Sequence, residues 1–152
     1  MKIAEALLIR ADLQKKLASL KQRIAENTKV QDGDRPSEDP TALLIEGSRV
    51  IAELQSLITR THRTNALVQL ANGKSMLDAL VERDMLALRH QLLIDAINQS
   101  KTGYDRYSAR EIKWHKTLDT NALQKQADDI ANALRQLNIQ IQAANWQLEL
   151  LQ

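Results

Sequence analysis

The stretch LQKQADDIANALRQLNIQIQAANWQLELL, residues 123–151, decides the fold. Its apolar residues recur at alternating steps of four and three: Leu123, Ala127, Ile130, Leu134, Leu137, Ile141, Ala144, Leu148 and Leu151. That is a heptad seam with no Gly or Pro inside it, the pattern by which one long helix lies lengthwise on others at a shallow angle. Asp119 precedes it as an N-cap, and roughly 30 residues rising 1.5 Å each give a rod of about 45 Å. The rest of the chain must supply surfaces to cover that rod.

The composition agrees with long helices. Leu, Ile and Ala supply most of the apolar content, Phe is absent, and with four Gly and two Pro there is little punctuation. A chain of 152 residues suits one domain with a real core. The formal charge of +2 is too small to imply nucleic acid or an anionic membrane by itself. Without Cys there is no disulfide framework or thiolate chemistry. Charges at Lys2, Glu5, Arg10 and Asp12 interrupt any signal-peptide core, and no apolar run reaches the length of a membrane span. A soluble cytoplasmic protein is expected.

Working outward, a first helix is expected at about 3–28 on the seam Ile3, Ala6, Arg10, Leu13, Leu17, Leu20 and Ile24, with Arg10 either snorkelling outward or meeting a buried partner. A loop around Gly33 and Pro36 follows. Asp39 and Pro40 then start a second helix, 40–62, which frays in the Thr61–Asn65 run. Gly47 lies in its apolar stripe, where it permits close approach of another backbone. Ser75 and Asp78 open a third helix, 75–100, with Leu77, Leu80, Val81, Leu88 and Leu92 on its stripe and Asp84 and Asp95 near the stripe's middle. The fourth helix is 119–151. Between the last two, Glu111, Ile112, Lys113, Trp114 and His115 alternate, which predicts a short strand at 110–117 paired with 66–70. The expected fold is mainly α: one domain of four long helices in a bundle with coiled-coil-like packing, plus a small two-stranded antiparallel β element.

The chemistry-bearing residues are dispersed. Asp84 and Asp95 are about 16 Å apart along a helix axis, too far to act as a carboxylate pair at one bond, and structural pairing with Arg10, Arg60 or an Arg of a second copy is the reading adopted. Glu111, His115, His62 and His90 suggest a histidine-carboxylate metal site, because neutral imidazole suits zinc or iron. No helix carries the spaced Glu-x-x-His motif, however, so neither a metal nor a cofactor is expected. Tyr104, Arg106, Tyr107, Arg110, Lys113, Trp114 and Lys116 interleave aromatics with cations as single-strand nucleic-acid surfaces do, a weakly specific signal. The helices lack the aromatic rim of interfacial ones, so a membrane partner is not expected.

Several strings taken together resemble the septicolysin-like family of small, largely helical bacterial proteins. They are Arg60-Thr61-His62-Arg63-Thr64-Asn65, Asn72-Gly73-Lys74-Ser75 with Arg83-Asp84, Arg106-Tyr107-Ser108 with Glu111-Ile112-Lys113, and Ile141-Gln142-Ala143-Ala144-Asn145-Trp146. The resemblance implies a cytolysin name but no transferable catalytic motif. It directs attention to Arg60, Asn65, Asp84, Arg106, Tyr107, Glu111 and Asn145 as a polar network for a ligand. Three functions remain open: a non-enzymatic, homo-oligomeric structural or interaction protein whose heptad faces meet a second copy, a lysin, and a ligand-binding protein or enzyme. The first is the leading expectation, with any other protein partner unidentified.

Overall fold

The computed structural model describes residues 1–101 and 115–151. The protein is mainly helical, with α1 (Ile3–Asn27), α2 (Pro40–Leu67), α3 (Met76–Gln99) and α4 (Thr120–Gln147). The chain divides into two compact units, Met1–Met76 with Gln142–Gln152, and Leu77–Ile141.

In the first unit, α1 begins where the Lys2 amide donates to Glu5 Oε2 at 2.8 Å, a carboxylate placed to satisfy an otherwise unpaired donor. Asp39 caps α2 by accepting from the Thr41 amide at 2.9 Å, ahead of Pro40 at the first helical position. The seam of α1 then meets α2. Leu20, fully buried, clusters with Leu43, Val50 and Leu54, and Leu13, Leu17 and Ile24 pack against them. Arg10 in the same seam is half-buried and, among the described residues, makes no hydrogen bond or ion pair, which suits a snorkelling side chain. Lys16 and Glu46 bridge the two helices at 2.7 Å.

Asn27 closes the connection between them. Its side chain donates to the Arg23 carbonyl at 2.9 Å and accepts from Ser37 Oγ and the Glu38 amide, both at 3.0 Å. Glu38 in turn forms an ion pair with the Arg23 guanidinium. A buried amide used this fully fixes the loop's path, because each lost partner would leave a polar group unsatisfied.

Four expectations are corrected. First, α2 continues to Leu67 rather than fraying at Thr61–Asn65. Thr61 Oγ1 donates to the Leu57 carbonyl and Thr64 Oγ1 to the Arg60 carbonyl, both at 2.8 Å, so the hydroxyls that compete with helix formation elsewhere are absorbed by it. Second, no strand is found among the described residues. The residues after α2 find their mate locally: Gln69 bridges Ser75 across a turn in which Gly73 has φ +80°, with the Leu70 amide donating to the Lys74 carbonyl and the Met76 amide to the Val68 carbonyl. Closing so short a loop costs little entropy, whereas pairing 66–70 with 110–117 would close a long one. Residues 110–114 of the expected second strand lie outside the described residues, and 115–117 have no regular structure.

Third, α4 ends at Gln147, short of the expected 151. Leu148–Leu151 instead lie against the N-terminus, with Lys2 bridging Glu149, the Ile3 amide donating to the Leu148 carbonyl and the Leu150 amide to the Met1 carbonyl. Leu150 is thereby buried with Ala6 and Leu57. Fourth, Gly47 is buried, yet a Cβ built on it would meet no atom within 4 Å, so no neighbouring backbone requires the glycine.

In the second unit, α4 starts with Asp119 Oδ1 accepting from the Asn121 and Ala122 amides at 3.1 Å. The α4 seam residues Leu123, Ala127, Ile130, Leu134, Leu137 and Ile141 are buried or half-buried. On α3 the inward row is Ala79, Leu80, Arg83, Leu86, His90, Leu93, Ile94 and Ile97, all buried or half-buried. This row follows the three-four spacing, but it is not the stripe expected from sequence.

Candidate functional site

Of the seven residues assigned to a polar network, Arg106, Tyr107 and Glu111 lie outside the described residues. Arg60, Asn65 and Asn145 belong to the first unit and Asp84 to the second.

Of the first-unit residues, Arg60 is engaged in holding the C-terminal tail. Arg60 Nε donates to the Leu151 carbonyl at 3.0 Å, and the Leu151 amide donates to Thr64 Oγ1 at 3.0 Å. Thr64 is therefore a relay, giving its proton to the Arg60 carbonyl while its oxygen receives the tail. Beside it, Asn65 Oδ1 is buried and, among the described residues, has no hydrogen-bond partner. Asn145, on the last turn of α4, is buried, whereas its neighbour Trp146 is exposed. At the other side of the tail, Glu149 receives Lys2 Nζ at 2.7 Å and the N-terminal amine at 2.8 Å. Those two cations, Lys2 first, hold its carboxyl down to about 2 although burial opposes them. Arg60, Thr64, Lys2 and Glu149 thus form a hydrogen-bonded clamp around residues 148–151.

Asp84 has a different setting. It is exposed, and its Oδ1 accepts from Arg83 Nε at 2.9 Å and Nη2 at 2.7 Å, an ion pair with its sequence neighbour. Asp95, also exposed, accepts from Gln91 Nε2 at 2.7 Å. The stripe in which both carboxylates lie faces water. Among the described residues no three His, Asp or Glu side chains are grouped as a metal site would require, with Glu111 outside that set. Of the aromatic and basic run weighed for nucleic acid, 104–114 is likewise outside the described residues.

Sequence reasoning missed the most distinctive surface. Leu77, Val81, Met85, Leu88 and Leu92 of α3 are 48, 53, 51, 63 and 69% exposed. At 3.6 residues per turn they fall within an arc of about 80°, on the side of the helix opposite the inward row. Such a row on a typical helix is covered. The signal was present in the sequence, but the expected stripe merged Leu80 of the inner row with Leu77, Val81, Leu88 and Leu92 of the outer one. Among the described residues no helix is long and apolar enough to cross a membrane.

Comparison with known proteins adds a family and a fold. The model of a family of unknown function, DUF6847, matches residues 10–150. The crystal structure of a functionally unknown conserved protein from Corynebacterium diphtheriae is similar throughout, with a TM-score of 0.93 and 38% identity over 99% of each chain. No curated protein is matched. These findings overturn the resemblance to septicolysin-like proteins: the strings that suggested it belong to a different family, and neither match is described as a lysin.

Proposed function

We propose, for a chain that belongs to the DUF6847 family of unknown function, that it is a non-enzymatic interaction protein that associates with its own copies. The observation that carries this reading is the outer row of α3, five large apolar side chains about half exposed or more on one helix face. Exposed apolar residues scattered singly need no explanation, but a continuous row of them marks a contact surface. The residues first assigned to a ligand support the same reading from the other side. Arg60 is bound to a main-chain carbonyl and Asp84 to an adjacent arginine, which are structural uses of those groups.

Sedimentation at micromolar concentration tests the proposal. The expected result is a species of at least twice the chain mass, and Leu88→Glu, which places a charge in the middle of the row, should reduce it to a folded monomer. A native chain that sediments only as monomer overturns the proposal.

A further inference from the structure

We infer that the outer row of α3 is the contact itself, and that two copies meet there antiparallel about a two-fold axis between Asp84 and Met85. This rests on the self-association just proposed and adds its surface, orientation and register.

Three observations point to a second copy as the occupant. The first is spacing. Read from either end, Leu77, Val81, Met85, Leu88 and Leu92 give nearly the same pattern. Turning one copy end over end therefore sets Leu77 level with Leu92 of the second copy, Val81 level with Leu88, and Met85 beside its own counterpart. A surface that must match itself needs this property, because a two-fold contact presents the same patch twice.

The second is charge. Asp78 and Arg89 lie on the same flank of the row, at opposite ends. In that register Asp78 of one copy stands about two residues, or roughly 3 Å along the axis, from Arg89 of the other. Two symmetric contacts between opposite charges follow; Asp78 also has an interaction within its own chain, whereas Arg89 has no ion pair there among the described residues. On the other flank the two Asp84 carboxylates approach near the axis, and each brings its own neutralising Arg83. Antiparallel helices also oppose their dipoles.

The third is size. Five large side chains exposed to this degree present on the order of 500 Å² of apolar surface per copy, a substantial share of the roughly 800 Å² per partner in a specific contact.

Because the chain has no Cys, each introduced thiol is unique, and disulfides require Cα atoms within about 7 Å. Under mild oxidation Met85→Cys should give a covalent dimer, Leu92→Cys alone should not, and Leu77→Cys with Leu92→Cys in one chain should. Arg89→Asp should weaken the dimer about tenfold, and Asp78→Arg added to it should restore much of the loss. Circular dichroism of each variant confirms the fold. Cross-linking of Leu92→Cys alone would show parallel helices and overturn the inference while self-association stands. A native dimer whose row cysteines do not cross-link would place the contact elsewhere. A native monomer would remove both proposals together.

Discussion

The α1–α2 junction and the outer face of α3 are opposites in what they do with the same materials. Around Asn27 a polar side chain is buried and its described hydrogen bonds tie the end of α1 to the start of the loop's return at Ser37 and Glu38. On α3 the apolar side chains are the ones left in water and the carboxylates among them are paired beside the helix. The first arrangement is complete within one chain, since each group that left water found a partner. In the second, large apolar side chains remain exposed to water, which is unfavourable for them. Apolar periodicity therefore identifies a face but does not say which of two faces the chain itself will cover.

The largest test of that contrast compares equal truncations in the two places. Leu20→Ala, at a fully buried position among Leu43, Val50 and Leu54, should cost about 3 kcal/mol of unfolding free energy by leaving a cavity. Leu88→Ala should change the monomer's stability by less than about 0.5 kcal/mol, while weakening association. Urea denaturation at sub-micromolar protein separates the two effects. A Leu88→Ala cost approaching that of Leu20→Ala would mean that the outer row is a second core, and the contrast would fail. Next in size is Asn27→Ala, which strands the Glu38 amide and Ser37 hydroxyl and should cost about 2 kcal/mol. A cost near zero in the same titration would show that water replaces the side chain and that the junction is less closed than its hydrogen bonds indicate.

These residues also show how far the sequence could be read. The α4 seam was legible because each of its positions obeys one rule and nothing competes, and those from Leu123 to Leu148 are indeed buried or half-buried. The starts at Asp39 and Asp119 were legible for a similar reason: a capping carboxylate acts on amides two or three residues away. By contrast, the end of α2 depends on where Thr61 and Thr64 direct their hydroxyls, and the end of α4 on the meeting of Leu148–Leu151 with Met1–Ile3, a long-range pairing that no local pattern encodes. Asn27 gave no signal, because an Asn at a helix end is ordinary until its partners are known. On α3 the stripe expected from sequence combines Leu80 of the inner row with Leu77, Val81, Leu88 and Leu92 of the outer one, which places the carboxylates in a core although both are exposed. Of the residues expected to form a network, Arg60, Asn65 and Asn145 lie in one unit and Asp84 in the other, and local pattern does not encode that Arg60 holds the tail or that Asp84 pairs with a neighbouring arginine.

The smallest expected effect lies at the clamp on that tail, where Glu149 is paired as Asn27 is but stands largely in water. Glu149 has its carboxyl lowered from an ordinary 4.5 to about 2 by Lys2 and then by the N-terminal amine. Since the folded value lies below the unfolded one, folding is favoured by the ionised form. The contribution is present in full above about 4.5 and disappears as the pH falls through about 2. Glu38, lowered by its hydrogen bond from Arg23, and Glu46, lowered by that from Lys16, act in the same direction on the acid side. In urea titrations Glu149→Gln should therefore unfold slightly earlier than the native chain at neutral pH and at the same midpoint near pH 2, with the gap at neutral pH narrowing in high salt because the groups are exposed. A gap that persists unchanged at pH 2 would mean that the tail is held by the shape of the Glu149 side chain rather than its charge. The clamp would then resemble the Asn27 junction in kind, its hold resting on hydrogen bonds that neither acid nor salt removes.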